Sequence, residues 1–103
     1  MSREFTVSSL EEFESMIRNK DFAIAQAVVE TILNNLNTKR KRLHVLSIHV
    51  LDNAATLDIT LETKYFIDCL RENIKHYVAE ERYEECIEIE KAIEYLKGKE
   101  GYL

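Results

Sequence analysis

No proline and only two glycines interrupt this chain of 103 residues. The residues that most readily make sharp backbone reversals are nearly absent. The connections must therefore be short and built from Asn, Asp, Thr and charged residues, which favours helices joined closely together. Hydrophobic residues are 46% of the sequence and charged residues 32%, a globular balance, and the length suits one packed core rather than two. One domain over residues 1–103 is expected.

Arg3 to Val7 reads as an extended lead-in, with Phe5 and Val7 on one side and Thr6 on the other. A helical hairpin is expected over 8–38. Its first helix opens at Ser8 or Ser9, because Glu11 and Glu12 each stand three residues further on and complete a capping box in either register. Leu10, Phe13, Met16 and Ile17 follow at helical spacing. The chain should turn near Asn19-Lys20-Asp21, where Asn19 tolerates the left-handed conformation that ends a helix and Asp21 can cap the next. Phe22, Ala25, Val28, Val29, Ile32, Leu33 and Leu36 then form a broad apolar stripe.

The period changes in the middle. Leu57-Asp58-Ile59-Thr60-Leu61-Glu62 alternates apolar with polar, and Leu46, Ile48 and Val50 alternate with Ser47 and His49, as half-buried strands require. A β-hairpin over 43–62 follows, with strands near 43–51 and 56–62 and Asp52-Asn53-Ala54-Ala55 as its loop. That fold opposes Val50 to Leu57, Ile48 to Ile59 and Leu46 to Leu61, and on the other face His49 to Asp58 and Ser47 to Thr60. It leaves Leu43, Val45 and Leu51 on or near the second face and sets His44 and His49 on opposite faces. A second helical hairpin is expected over 63–97. Thr63 is its cap, Phe66, Leu70, Ile74, Tyr77 and Val78 its first stripe, and Glu80-Glu81-Arg82 its turn. Tyr83, Cys86, Ile89, Ile93 and Leu96 make the second stripe, with Gly98 as its stop and 98–103 a frayed tail. The fold class expected is α+β, predominantly helical, with two helical hairpins flanking a central antiparallel β-hairpin.

The two helical parts echo each other. Residues 17–25 align without a gap on residues 78–86, pairing Ile17 with Val78, Phe22 with Tyr83 and Ala25 with Cys86. An aromatic just past a tight turn can wedge between antiparallel helices, and a small residue three positions on lets their backbones approach. Through Tyr83-Glu84, Cys86-Ile87, Ile89, Ile93 and Leu96 the second copy resembles the UVR motif, the short helical hairpin that ends bacterial excision-repair proteins of the UvrB type. Glu90-Lys91 stands where that family usually has an Arg-Asp pair, and Arg82 where it has Asp. The likeness covers about a fifth of the chain and rests on a helix-packing pattern. It implies docking on another such hairpin, not repair of DNA.

Little in the sequence points to catalysis. Two glycines cannot write a P-loop or a dinucleotide fingerprint. Ser47 has His49 two residues on, but no third group or oxyanion hole accompanies them. His76 and Glu80 stand one helical turn apart without further ligands. Cys69 and Cys86 lack metal-ligand spacing and fall on apolar stripes, so they are expected to be reduced, unbonded core thiols. No catalytic residue, cofactor or metal is expected. The candidates for binding are the basic run Lys39, Arg40, Lys41 and Arg42, which suits phosphate, and the acidic face of Glu80, Glu84 and Glu88, which suits a basic partner.

With a formal net charge of −5, no leader pattern and no long apolar run, a cytoplasmic protein that does not engage a membrane is expected. The leading expectation for function is a small non-enzymatic binding or regulatory protein acting through protein contacts, with another protein or with itself as a homodimer or larger assembly. The alternative is a binder of nucleic acid or a phosphorylated ligand such as a nucleotide, through the run at 39–42.

Overall fold

The computed structural model describes residues 3–19 and 21–100. Their order is β1 (Arg3–Val7), α1 (Leu10–Arg18), α2 (Phe22–Leu33), β2 (Arg42–Val50), β3 (Ala55–Glu62), α3 (Phe66–Ala79) and α4 (Tyr83–Glu100), with a 3₁₀ turn at Thr63–Tyr65 before α3. The class is α+β, as the alternating and helical periods predict. The lead-in is a strand in its own right. It pairs parallel to β2, which pairs antiparallel to β3, so β2 is the central strand of a mixed sheet. The parallel pairing is possible because α1 and α2 supply the long crossover that such a pair needs.

Local signals set the starts of α1 and α2. Ser9 Oγ accepts the Glu12 N–H at 3.2 Å, and the Glu12 carboxylate reaches back to the Ser8 N–H at 2.8 Å. Asp21 accepts the Ala23 N–H at 2.9 Å and caps α2. Three expectations at helix ends are corrected. Asn19 ends α1 at φ −84°, on the right-handed side, and the Asp21 N–H closes the turn on the Met16 carbonyl at 3.0 Å. Thr63 does not cap α3; its N–H goes to the Lys41 carbonyl at 2.9 Å, and a 3₁₀ turn intervenes. Gly98 does not stop α4, which continues to Glu100; the glycine lies in open space, where it lowers helix propensity without breaking the ladder. Of the tail expected at 98–103, residues 101–103 lie outside the described residues.

The β-hairpin forms in a register two residues from the expected one. Val50 faces Ala55, Ile48 faces Leu57, Leu46 faces Ile59, Ser47 faces Asp58 and His49 faces Thr56. A shift of two preserves which side chains share a face, since the side-chain period is two. The loop has the expected four residues but closes one residue earlier, at 51–54: Ala54 takes φ 54° and Asn53 Oδ1 accepts the Ala55 N–H at 3.1 Å. A β-bulge at Val45 then breaks the alternation, and pairing resumes with His44 on Thr60 and Leu43 on Leu61. The bulge sends Leu43 and Val45 into the core, at 7% and 1% exposure, against the expectation that they lie on the second face. It also brings His44 to the outer face beside Ser47 and His49. Leu51 stays exposed.

The core has two lobes. Between the helices, Val29, Ile32, Leu70, Tyr77, Cys86, Ile89 and Leu96 bury one another together with Leu43 and Phe66. Beneath the sheet, Val7, Val45, Leu46, Ile48 and Val50 pack on Phe13 of α1 and Ala27 of α2. Val28 and Leu61 touch both lobes and join them. Each large apolar side chain buried this way contributes about 1.5–3 kcal/mol, so the lobes carry the fold. Neither cysteine is in a disulfide, and burial pushes both thiols above their ordinary pKa of 9.0. No helix of the described residues is long and apolar enough to cross a membrane.

Candidate functional site

The connector from α2 to β2 is held by its backbone, which turns its cations outward. The Asn35 amide donates to the Thr31 carbonyl at 2.7 Å, the Thr38 N–H to the Asn35 carbonyl at 3.1 Å, and the Arg40 N–H to the Thr38 hydroxyl at 3.2 Å. Lys41 is tied through its carbonyl to Thr63. Lys39, Arg40, Lys41 and Arg42 are all exposed. Arg42 and Lys64 share the carboxylate of Glu62, at 3.2 and 3.3 Å, and Arg42 followed by Lys64 holds that carboxyl below its ordinary 4.5. Among the described residues, no carboxylate lies within 4.0 Å of Lys39, Arg40 or Lys41.

A cleft opens on each side of the run. One, of about 600 Å³, is lined by Arg3, Glu30, Asn34, Arg40 and His44 over a floor of Leu43, with Glu30 engaged by Arg3. The other, of about 490 Å³, is lined by Lys41, Arg42, Glu62, Thr63 and Lys64. The aromatics missing from the run's own sequence are supplied by other elements. Tyr65, exposed, stands beside Lys64, whose ammonium lies 5.1 Å from the ring centre. Tyr95, also exposed, hydrogen-bonds Asn37 on the connector, and Lys99 lies over its ring and donates to the Leu36 carbonyl. Arg3, Asn34, His44, Lys64, Tyr65 and Tyr95 carry no local signal for this role. Only the pairing of β1 and β3 with β2 and the packing of α4 assemble them.

The acidic candidates stand elsewhere. Glu80, Glu84 and Glu88 are exposed around and beyond the α3–α4 turn. The basic run lies near the start of α3, whose 14 residues put the acidic turn about 21 Å of helix away. The fold therefore separates the two charged groups to opposite ends of α3 and does not bring them into one site. The turn is closed by the Glu81 N–H on the Val78 carbonyl at 2.9 Å and the Arg82 N–H on the Tyr77 carbonyl at 2.9 Å, with Glu81 in the left-handed region at φ 58°. Val78, Tyr83 and Ile87 flank it at 48%, 57% and 53% exposure.

The outer sheet face holds a polar group. Ser47 Oγ donates to Asp58 at 2.7 Å and lies 2.9 Å from His44 Nε2, while the same nitrogen is 3.3 Å from Asp58. His49 bridges Thr56 and Glu4. The serine pairs with His44 rather than His49, and its proton points to the acid. A nucleophilic relay needs the imidazole between serine and acid, each at its own ring nitrogen, and this arrangement lacks that order. The Ser47 hydrogen bond, then that of His44, keeps the Asp58 carboxyl below its ordinary 3.8. Among the described residues no three His, Cys, Asp or Glu side chains are grouped to hold a metal ion. Comparisons of the chain with protein-family models, with curated proteins and with solved structures gave no match.

Proposed function

We propose that this chain is a small non-catalytic interaction protein that docks on protein through the α3–α4 turn, with a second copy of itself as a partner. The observation that carries the reading is the trio Val78, Tyr83 and Ile87, branched or aromatic side chains left half exposed at the α3–α4 turn. Tyrosine is a typical anchor at the centre of protein interfaces, and Val78 and Ile87 add apolar area beside it. Glu80, Glu84 and Glu88 surround them with negative charge, so the partner has an apolar centre and a basic rim. The chain's own run at 39–42 offers such a rim, which makes self-association the first test.

The likeness to UVR hairpins agrees with docking but bears on which face is used. Cys86, Ile89 and Leu96 are buried in this chain. Of the residues that carry the likeness, Tyr83, Glu84 and Ile87 are exposed and free to meet a partner. Sedimentation at micromolar concentration is expected to show an assembly larger than the 12.1 kDa chain, and Tyr83→Ala with Ile87→Ala to return it to monomer at unchanged helix content. A monomer at the outset removes self-association from the proposal.

A further inference from the structure

The clefts on either side of the basic run hold more positive charge than the fold uses. Arg3, Arg40, Lys41, Arg42 and Lys64 line them, against the two carboxylates Glu30 and Glu62. Glu30 is taken by Arg3, and Glu62 by Arg42 and Lys64 together. Arg40 and Lys41 are left facing opposite clefts without an acidic neighbour among the described residues. Folding does not ask for this: α2 ends at Leu33 with no basic residue in its last turn, so the run is too far on to serve that helix end, and exposed charge pairs contribute roughly 0–1 kcal/mol each.

Lysine and arginine only donate hydrogen bonds, so the complementary ligand is an acceptor-rich anion. Arginine forks match phosphate oxygens in particular. Adjacent residues of the run line the two clefts, Arg40 the first and Lys41 the second, and both volumes fall within the roughly 300–1,000 Å³ of small-ligand sites. The exposed ring of Tyr65, with the Lys64 ammonium of the second cleft 5.1 Å from its centre, offers a flat face on which a base can stack. We propose that this basic end binds the phosphates of nucleotides, Arg40 holding one in the first cleft and Lys41 with Lys64 holding the next in the second, with Tyr65 against a base. The nucleotides come either free or joined in a single strand. Arg3 and His44 complete the first cleft, and neither belongs to the run.

The test uses the full chain and two probes, adenosine diphosphate and a fluorescein-labelled single-stranded oligothymidylate, titrated at low salt. At least one is expected to saturate. Arg40→Ala with Lys41→Ala should weaken it roughly ten-fold or more, since two phosphate contacts are lost. Lys91→Ala, which removes an exposed cation on the acidic helix, should leave it unchanged. Lys64→Ala, outside the run, should weaken it in the same direction by less and stands in if the double variant does not fold. Saturation by the diphosphate identifies free nucleotide as the ligand. Saturation by the oligomer alone, with affinity falling steeply as salt rises, identifies a strand. Failure of both probes at millimolar concentration overturns the proposal. So does an equal loss from Lys91→Ala. Because self-association would use the run at 39–42 as its basic rim, the titrations are repeated on Tyr83→Ala with Ile87→Ala, which removes the docking surface and leaves the clefts, so that this inference and the docking proposal fail distinguishably.

Discussion

The turn between α1 and α2 and the turn between α3 and α4 look alike in sequence and behave differently in the fold. In each, an aromatic follows the turn and a small residue stands three positions later. The small residues agree: Ala25 and Cys86 are both buried. The aromatics do not. Phe22 packs edge-on against Tyr77 at 4.8 Å between ring centres, with the Arg82 guanidinium 5.1 Å from its own ring centre. Tyr83 is more than half exposed. Phe22 is covered by Tyr77 of α3 and Arg82 of the second turn rather than wedged between α1 and α2, so the second copy supplies its cover. Arg82 comes from the second turn, where an Asp would continue the UVR likeness. Its place over Phe22, with Glu85 at 2.7 Å on its other side, gives that departure a use within the chain. An aromatic after a turn is buried only where a third element reaches it, and none reaches Tyr83.

Removing the two rings has very different consequences. Phe22→Ala should cost about 2–3 kcal/mol in a denaturant titration, below the full range for a buried Phe because the ring is only half-buried. Tyr83→Ala should cost under about 0.5 kcal/mol in the monomer, as for an exposed site, while weakening self-association. Equal losses of stability would break the comparison, since they would mean that Tyr83 also packs within its own chain.

The turns also differ in backbone, and glycine reads that difference. Glu81 holds a left-handed φ of 58° at the position where helices most often end in glycine, whereas Asn19 ends α1 at φ −84°. Glu81→Gly should raise stability by about 1 kcal/mol, because the Cβ strain of a left-handed residue disappears. Asn19→Gly gains no such relief and should lower stability slightly through the greater freedom of the unfolded chain. Thermal melts of the two variants moving in the same direction would show that the turns are closed alike.

How much of this was legible beforehand follows from how local each signal is. The caps at Ser9 and Asp21 and the turn at Glu80 to Arg82 depend on neighbours a few residues apart, and they stand where the sequence puts them. The helical stripes hold at their centres, while Leu10, Ile17, Val78 and Tyr83 are exposed at helix ends and Leu36 lies beyond the end of α2. The register of the β-hairpin depends on which loop closes first. Asn53 turning onto Ala55 moved it by two residues, a shift that the alternating pattern cannot detect. The bulge at Val45 was invisible for a different reason: Leu43, Val45 and Leu46 all point into the core, which breaks the period-two rule from which the faces were read. The basic run itself was plain in the chain. Arg3, His44, Lys64 and Tyr65 were not, because only the pairing of β1 and β3 with β2 brings them beside it.

The smallest expected effect concerns the position at which the two copies agree best. Cys86 is to the second turn what Ala25 is to the first, and Cys86→Ala makes the pair identical. One sulfur atom leaves the edge of a core that also holds Ala92, so the loss should stay within about 1 kcal/mol. The thiol leaves a clearer mark in pH. Burial, and then the carboxylates of Glu90 and Glu85, push the Cys86 thiol above its ordinary 9.0. The folded state therefore holds its proton at a pH where the unfolded chain has begun to lose it. The thiol's contribution to stability is complete well below pH 9.0 and declines as pH rises through that value, because unfolding is then assisted by ionisation. Cys86→Ala should flatten this alkaline decline but not abolish it, since Cys69 is raised in the same sense by its own partial burial. Alkylation of the folded protein should also put the reactive midpoint of Cys86 above 9.0. A midpoint at or below that value would mean that the second turn opens readily, and that its small residue is not packed as Ala25 is.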